Sequence, residues 1–402
     1  MQSLFIGSSS TKHSFPPLFT GTVGLYSSSS FPEAKVSKCQ KWRWNNADNK
    51  LSEPMRLSQR RQLLSKYVAR PCYKGNGKNL ANAGSGDHYH FPTDQPKSLM
   101  ETFQMKFVAF CEFARLYSFV GRGLSIVSSS FLGIEKLSDI SLLFLSGVLK
   151  AIVATFFVQL YINSINQLED IEIDKINKPY LPLASGEYSI ETVRIITASS
   201  ALMSFWLAWM VGSWPLFSAI LVIFVFGTIY SINLPFLRWK RSAFLAALCV
   251  FAMGVPTELA FYLHTQTFVF GRPAYFPKRV IFTLAFMSIF TVVAAIFKDI
   301  PDVDGDKIHG VRSFAVQFGK EKVFSICFVL FQIIYVVAIL VGLTSSQKWS
   351  KFITVASHIC LALIHWSRAK SVDLGNKTSV TSFYMFIWKL LYAESFLVPL
   401  IR

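Results

Sequence analysis

Charged residues are scarce in this 402-residue sequence: they make up 16% of it, where soluble proteins have about 25%. Acidic residues are rarer than basic ones: the sequence has 23 Asp and Glu against 40 Lys and Arg, which gives a formal net charge of +17. Hydrophobic residues account for 52%, and the mean hydropathy is +0.40. So apolar a chain cannot bury its hydrophobic residues in one soluble core, which excludes an ordinary soluble enzyme and predicts several membrane spans.

Paired cysteines and a compact basic domain are also lacking. The six cysteines are scattered, without a CxxC pair or a histidine at metal-ligand spacing, which supports neither a disulfide framework nor a zinc site. Fourteen basic and five acidic residues fall in the first 100 positions, and the remaining charge is spread over a mostly apolar sequence. A nucleic-acid partner is therefore not expected, because it needs basic residues concentrated on a polar domain.

The first ninety residues differ in composition from the rest. Residues 1–36 hold nine serines and one acid, Glu33, and basic residues accumulate from Lys38 onwards. Such sequence, without a long apolar run, is typical of organelle transit peptides. We predict a plastid transit peptide and disordered leader over residues 1–90 and a membrane domain over residues 91–402. A disordered tail with no targeting role is the alternative.

Long runs without charge predict the membrane spans. The longest, residues 195–237, has 43 residues without Asp, Glu, Lys or Arg, which is enough for two spans of about 20 residues each. Gly212-Ser213-Trp214-Pro215 supplies a turn between them. Two further charge-free stretches are 280–297 and 323–347, and less clean candidates, which contain charged residues, are 113–134, 141–164, 242–263, 351–366 and 381–401, for a total of nine. We expect an all-α polytopic membrane protein, because no alternating barrel pattern is present in the sequence.

Two groups of acidic residues follow directly on two of these spans, the second and the sixth. Each group contains residues four positions apart, which places their side chains on one helical face. The groups consist of Asn166, Gln167, Asp170 and Asp174, and of Lys298, Asp299, Asp302 and Asp306.

The topology brings the two groups to the same side of the membrane. Four predicted spans separate them, and an even number of crossings returns the chain to its starting side. The groups can therefore face one another across one cavity. The loop after the fourth span, two crossings from the first group, adds Arg238 and Lys240 to the same side.

Facing carboxylates repel one another unless a cation lies between them. Mg2+ prefers oxygen ligands and is usually shared between one or two carboxylates and substrate phosphates, while Lys and Arg hold the remaining phosphate oxygens. The pattern therefore indicates a magnesium-dependent reaction in which a diphosphate leaves. For one group alone, acids that merely solvate a helix end are an equally good explanation. Two facing groups beside a basic loop favour the metal site.

These residues resemble the paired motifs of the UbiA superfamily of intramembrane aromatic prenyltransferases, NQxxDxxxD and KDxxDxxGD. Residues 177–189, the loop 238–241 and residues 383–394 resemble more closely the plant homogentisate phytyltransferase lineage. Prenyltransferases that act on flavonoids and coumarins belong to the same lineage. The resemblance covers about residues 110–402.

The resemblance implies about nine transmembrane helices around a central cavity, a Mg2+ cofactor, a prenyl diphosphate donor and a phenolic aromatic acceptor. It implies that Mg2+ and the diphosphate are held by Asp170, Asp174, Asp302 and Asp306. Asp299 or another carboxylate is the expected base. The residues expected to bind substrate are Asn166, Gln167, Lys178, Tyr230, Arg238, Lys240, Lys298 and Arg312.

Three of these substrate-binding residues have simpler explanations. Lys178 and Arg312 would equally suit interfacial anchors, and Tyr230 an aromatic belt. As a site residue, Tyr230 would stabilise the allylic cation with its ring face.

Two features set the sequence apart from the homogentisate enzymes. The first span begins Arg115-Leu116-Tyr117-Ser118 instead of an Arg-Pro-His-Thr-like entry, and Glu258 and Lys150 lie inside spans. Ionisable groups at membrane depth are functional by default, although interhelical pairing or snorkelling would explain them equally well.

These features favour the transfer of a dimethylallyl group to a flavonoid or coumarin. Homogentisate phytyltransferase is the alternative. A membrane transporter is more remote, since transporters more often have repeated halves and helices broken at the midplane.

A fusion of residues 1–90 to a fluorescent protein is expected to enter plastids, because this leader has the composition of a transit peptide. Imaging of plant cells checks it, with the unfused fluorescent protein as control. A purely cytosolic signal from the fusion contradicts the plastid assignment.

Overall fold

Thirteen α-helices and no β-strand make up residues 99–401, which the computed structural model describes; the predicted leader, residues 1–90, lies outside them. This confirms the all-α prediction. The first seven helices are α1 (Leu99–Phe113), α2 (Leu116–Phe131), α3 (Leu142–Glu169), α4 (Ile171–Asn177), α5 (Ile190–Val211), α6 (Trp214–Ser231) and α7 (Ala243–Leu263). The others are α8 (Lys278–Lys298), α9 (Val303–Ile308), α10 (Phe314–Phe318), α11 (Lys320–Leu343), α12 (Lys348–Lys370) and α13 (Lys377–Leu397). A π-helical turn, His264–Val269, extends α7.

Eight helices among the described residues are long and apolar enough to cross a membrane: α3, α5, α6, α7, α8, α11, α12 and α13. They correspond to eight of the nine predicted spans. The stretch 113–134 forms α2, which has only 16 residues, whereas a full span needs about 20. It packs against α3, α7 and α13, so its buried serines, 125 and 128–130, are covered by protein.

The turn between α5 and α6 shows how local chemistry ends one span and begins the next. Gly212 has φ +72°, in the left-handed region that glycine enters without steric cost. The Ser213 hydroxyl accepts a hydrogen bond from the Leu216 N–H at 3.4 Å, and Pro215 occupies the first turn, where its missing N–H costs nothing. The predicted turn is confirmed.

Two large apolar clusters hold the bundle together. One joins α2, α3, α5, α6 and α7, and the other joins α8, α11, α12 and α13. Next to these clusters, the short helix α4, which follows α3, packs against α9, which follows α8. The two acidic groups meet at this junction.

Each acidic group lies where a long helix ends and a short one begins, rather than along one continuous helix as the spacing predicted. Asp170 interrupts the helix between α3 and α4 with φ −116° and ψ 16°. The N–H of Asp174 still donates to the Asp170 carbonyl at 2.7 Å, and that of Asp306 to the Asp302 carbonyl at 3.1 Å. These hydrogen bonds between residues four positions apart keep the segments on either side of each break in helical register.

Candidate active site

Both acidic groups line one cavity at the junction of α4 and α9, as the topology predicted. All five predicted catalytic carboxylates are in its lining. The polar and charged lining side chains are Arg115, Asn166, Asp170, Asp174, Asn177, Lys178, Tyr230, Lys240, Lys298, Asp299, Asp302 and Asp306.

A single ammonium group bridges the two acidic groups. Lys178 Nζ lies 2.5 Å from Asp302 Oδ2 and 3.7 Å from Asp174 Oδ1. Burial lowers the pKa of Lys178, but the attraction of Asp302 and Asp174 outweighs it and leaves that pKa raised. Conversely, burial raises the pKa of Asp302, but Lys178 and Lys298 outweigh it and leave that pKa below its usual value. Both partners of the bridge are therefore charged at neutral pH.

The basic loop holds Asp170 from the other side. Arg238 Nη2 donates to Asp170 Oδ1 at 3.1 Å and to the Glu169 carbonyl at 3.1 Å, and Lys240 Nζ contacts Asp170 Oδ2. Arg238 has φ +59°, a conformation uncommon outside glycine that is kept where the surroundings enforce it. Arg238 lies behind the carboxylate and does not line the cavity, whereas Lys240 does.

Besides Arg238, two other predicted substrate-binding residues, Gln167 and Arg312, do not line the cavity. Gln167 lies about 100° around the helix from Asn166, and its Nε2 donates to the Phe113 carbonyl at 2.7 Å. The Arg312 side chain is exposed, and its backbone N–H donates to the Arg241 carbonyl at 2.9 Å. Gln167 therefore positions the end of α1, and Arg312 positions the basic loop.

Sequence reasoning missed Arg115 as a lining residue. It lies between α1 and α2 with φ +54°, and its Nη2 donates to Asn166 Oδ1 at 3.0 Å and lies 4.0 Å from Asp174 Oδ2. Its place in a loop gave no periodic signal that would have connected it to the acidic groups.

Asn177, also missed, joins the two motifs directly. Its Oδ1 accepts from the Gly305 N–H at 2.9 Å, and its Nδ2 donates to Asp306 Oδ1 at 3.4 Å. A Cβ on Gly305 would lie 2.7 Å from the Asn177 side chain, so the close approach requires glycine there. Its position three residues after Asp174, on the same helical face, was the available signal.

Tyr230 and Lys298 complete the lining. Lys298 Nζ lies 3.4 Å from the Tyr230 hydroxyl and 5.8 Å from the centre of its ring, within cation–π range. Lys298 therefore contacts Tyr230 at the hydroxyl end of its ring, and Tyr230 lines the cavity.

Within the part of the chain that the structure describes, one carboxylate of the cavity has no cation beside it. Among residues 99–401, Asp306 is the one carboxylate of the five without a cation within ion-pair distance. Burial and the neighbouring Asp299 and Asp302 raise its pKa to about 7. Burial also raises the pKa of Asp174, whose Oδ2 is buried without a hydrogen-bond partner in the described part of the chain.

This donor set fits Mg2+, which prefers carboxylate and other oxygen ligands. Within residues 99–401 no three carboxylate, histidine or cysteine groups already converge on one metal position. Lys178, Lys240 and Arg238 instead occupy the carboxylate oxygens. The cavity measures about 40 Å³, room for a few waters, with the ammonium groups of Lys178 and Lys240 among its lining.

A larger cavity of about 400 Å³ lies at the opposite ends of α2, α7 and α8. Its charged lining residues are Glu135 and Arg279, and it contains neither acidic group. Its size therefore does not make it the active-site candidate, because the paired carboxylates lie at the other end of the bundle.

Comparison with known proteins agrees with this geometry. Residues 129–390 match the model of the UbiA prenyltransferase family. Homogentisate phytyltransferase 1, chloroplastic, of Arabidopsis thaliana is 49% identical over 397 residues, which cover 94% of this chain and 99% of that protein. Glycinol 4-dimethylallyltransferase of Glycine max is 47% identical over 310 residues, 76% and 75% of the two chains.

Among solved structures, a UbiA homolog from Archaeoglobus fulgidus bound to GPP and Mg2+ has the same fold. It is 20% identical, with a TM-score of 0.51, over 72% of this chain and 99% of that one.

Replacing Asn177 with Ala is expected to lower kcat/KM for prenyl transfer at least about tenfold, because it removes the polar link between the motifs and leaves the Gly305 N–H unpaired. Lys175→Ala is the matched control, since Lys175 lies on the same helix but forms only an exposed pair with Glu172. Radiolabelled prenyl transfer in membranes, normalised to protein amount, measures both. Equal activity of the two variants would contradict the linking role.

Proposed function

The chain belongs to the UbiA prenyltransferase family and is an aromatic prenyltransferase that spans the membrane several times, and from this premise we propose that it transfers a phytyl group from phytyl diphosphate to a ring carbon of homogentisate. The observation that carries the prenyl-transfer chemistry is the bridge from Lys178 to Asp302, which places the two acidic motifs around one cavity.

The choice of acceptor rests on similarity over length. The 49% identity to the homogentisate enzyme extends over 99% of that protein, whereas the 47% identity to the glycinol enzyme covers 75% of its length. This supports homogentisate better than the flavonoid or coumarin acceptor that the sequence favoured. Dimethylallyl transfer to such a phenol remains the second candidate, supported by the altered entry at residues 116–118 and by the glycinol enzyme's similarity.

Asp170, Asp174, Asp302 and Asp306 are the residues that would hold Mg2+, as their all-carboxylate chemistry and the unpartnered Asp174 oxygen indicate. When bound, the metal neutralises negative charge on the diphosphate. The UbiA homolog from Archaeoglobus fulgidus, which has the same fold, is bound to GPP and Mg2+. This supports a site that takes a prenyl diphosphate together with Mg2+.

The cations of the cavity bind the diphosphate and stabilise it as it leaves. Lys178, Lys240 and Lys298 leave their carboxylate partners and donate hydrogen bonds to phosphate oxygens, with Arg115 as a fourth donor. The carbon–oxygen bond of the prenyl diphosphate then breaks, and its electron pair leaves with the diphosphate. Tyr230 turns its ring towards the allylic cation.

A ring carbon of the phenol attacks the allylic cation, forming the new carbon–carbon bond, and the ring proton it carried is lost. We assign the uptake of that proton to Asp299, which lines the cavity and whose pKa is raised by burial, so that it is a stronger base. The surrounding helices keep bulk water from the cation.

We further propose that the enzyme acts in a plastid membrane. The relative from Arabidopsis thaliana is named chloroplastic, and residues 1–36 have the serine-rich, acid-poor composition of a transit peptide.

The proposed function is tested with membranes that contain residues 91–402 and Mg2+. Phytyl and dimethylallyl diphosphates are offered with homogentisate, glycinol, naringenin and a coumarin, and products are identified by mass. We expect phytylated homogentisate as the main product. Product only from dimethylallyl diphosphate and a flavonoid or coumarin would contradict the proposal and support the second candidate.

Asp302→Asn is expected to lower prenyl transfer at least about a hundredfold, because it removes the charge that pairs with Lys178 and would face the metal. Asp304→Asn is the matched control. Asp304 belongs to the same motif, but its side chain is 64% exposed and its pair with Lys320 is long, at 3.9 Å. Prenyl transfer and membrane insertion are measured for both, and near wild-type turnover in Asp302→Asn would remove the metal-site assignment.

A further inference from the structure

A second group of ionisable residues lies deeper in the bundle, between α2 and α7. The Glu258 carboxylate accepts hydrogen bonds from the hydroxyls of Ser125 and Ser129, the latter at 2.5 Å. Arg122 Nη1 lies 3.7 Å from Glu258 Oε1. The proposed reaction does not yet use any of these side chains.

The Arg122 guanidinium is the unusual member of the group. Its only polar contact within residues 99–401 is the one to Glu258, and at 3.7 Å that contact is too long for a hydrogen bond. A purely structural Arg–Glu pair would normally form two short, parallel hydrogen bonds. The five N–H donors of the guanidinium have no hydrogen-bond acceptor among the described residues, and its accessible part is where a ligand oxygen can reach them.

Arg122 faces the interior of the bundle and not the lipid. It shares its face of α2 with Ser125, Ile126 and Ser129, at i+3, i+4 and i+7, and all three are buried. The half-exposed residues of the helix, Leu116 among them, lie on the opposite side. The 18% of the Arg122 side chain that remains accessible therefore opens into the bundle.

The Arg122–Glu258 group lies at a depth in the bundle from which a bound aromatic acceptor would reach the carboxylate cavity. Arg122 lies seven residues beyond the cavity-lining Arg115, about 10 Å along the helix axis at 1.5 Å per residue. Ser288 of α8 lies ten residues before the cavity-lining Lys298, about 15 Å by the same measure, and its buried hydroxyl has no partner in the described residues. A Cβ on Gly254, one turn from Glu258, would lie 3.6 Å from the Ser288 hydroxyl. Because residue 254 is glycine, α7 places no side chain next to that hydroxyl.

We propose that Arg122 and Glu258 form the subsite that binds a ring hydroxyl of the aromatic acceptor and so determine acceptor specificity. This inference rests on the proposed reaction of a phenolic acceptor at the neighbouring cavity. The hydroxyl oxygen accepts from Arg122, and the O–H donates to a free lone pair of Glu258. A neutral hydroxyl fits the pair better than a carboxylate, because Glu258 would repel a second anion.

The test compares kcat/KM for an acceptor with that for its analogue lacking one ring hydroxyl. The acceptor is whichever of homogentisate, glycinol and naringenin the wild-type chain prenylates fastest. The ratio of the two values does not depend on how much of each preparation is folded. We expect the wild type to prefer the hydroxylated acceptor at least about tenfold, since a site built to pair a hydroxyl discriminates strongly against its absence.

Arg122→Gln and Glu258→Gln are each expected to reduce this preference to less than about twofold while the KM for the prenyl diphosphate stays within about twofold. Glu394→Gln is the matched control and should keep the wild-type preference, because Glu394 is an equally buried acid, 0% exposed, that pairs with His358 of α12. A wild type without preference, or a preference preserved in either variant, overturns the inference. Absence of homogentisate product would contradict only the proposed function, because the test then proceeds with another acceptor.

Discussion

The structure depends on balancing charge where several helix ends meet. Five carboxylates crowd one cavity, and five cations lie within ion-pair distance of four of them, leaving Asp306 without one. Like charges this close are tolerated only when cations lie between them. The lysines therefore supply the positive charge that a bound metal would bring. In the proposed function, a diphosphate binds when these lysines exchange carboxylate oxygens for phosphate oxygens, and no further carboxylate has to be buried.

The rest of the fold serves this junction. The apolar clusters fix α3 and α8 within the bundle, and the helix breaks after Glu169 and Lys298 turn the chain so that α4 and α9 meet. Asn177 and Gly305 make that meeting close. Arg312 holds the basic loop through backbone bonds, so that Lys240 reaches Asp170. Rigid helices thus position a cavity whose own side chains are free to change partners.

Sequence patterns predicted much of this because membrane spans and helical spacing leave direct signals. Apolar runs with few or no charges located the eight long helices, and the even number of crossings brought Asp170 and Asp302 together correctly. Contacts from irregular backbone were not predictable, since Arg115 reaches the cavity from a loop with left-handed geometry. Gln167 and Arg312 matched a family pattern but face elsewhere, because a motif letter does not fix side-chain direction. The Arg122–Glu258 approach joins residues 136 positions apart, a separation no local pattern reveals.

The most direct measurement is a cryo-EM structure of residues 91–402 with Mg2+ and a non-hydrolysable prenyl thiolodiphosphate. The account predicts that the diphosphate occupies the cavity between the two acidic motifs. It also predicts that Lys178 Nζ has left Asp302, now 2.5 Å away, for a phosphate oxygen. A diphosphate bound outside the cavity, with Lys178 still paired to Asp302, would contradict it.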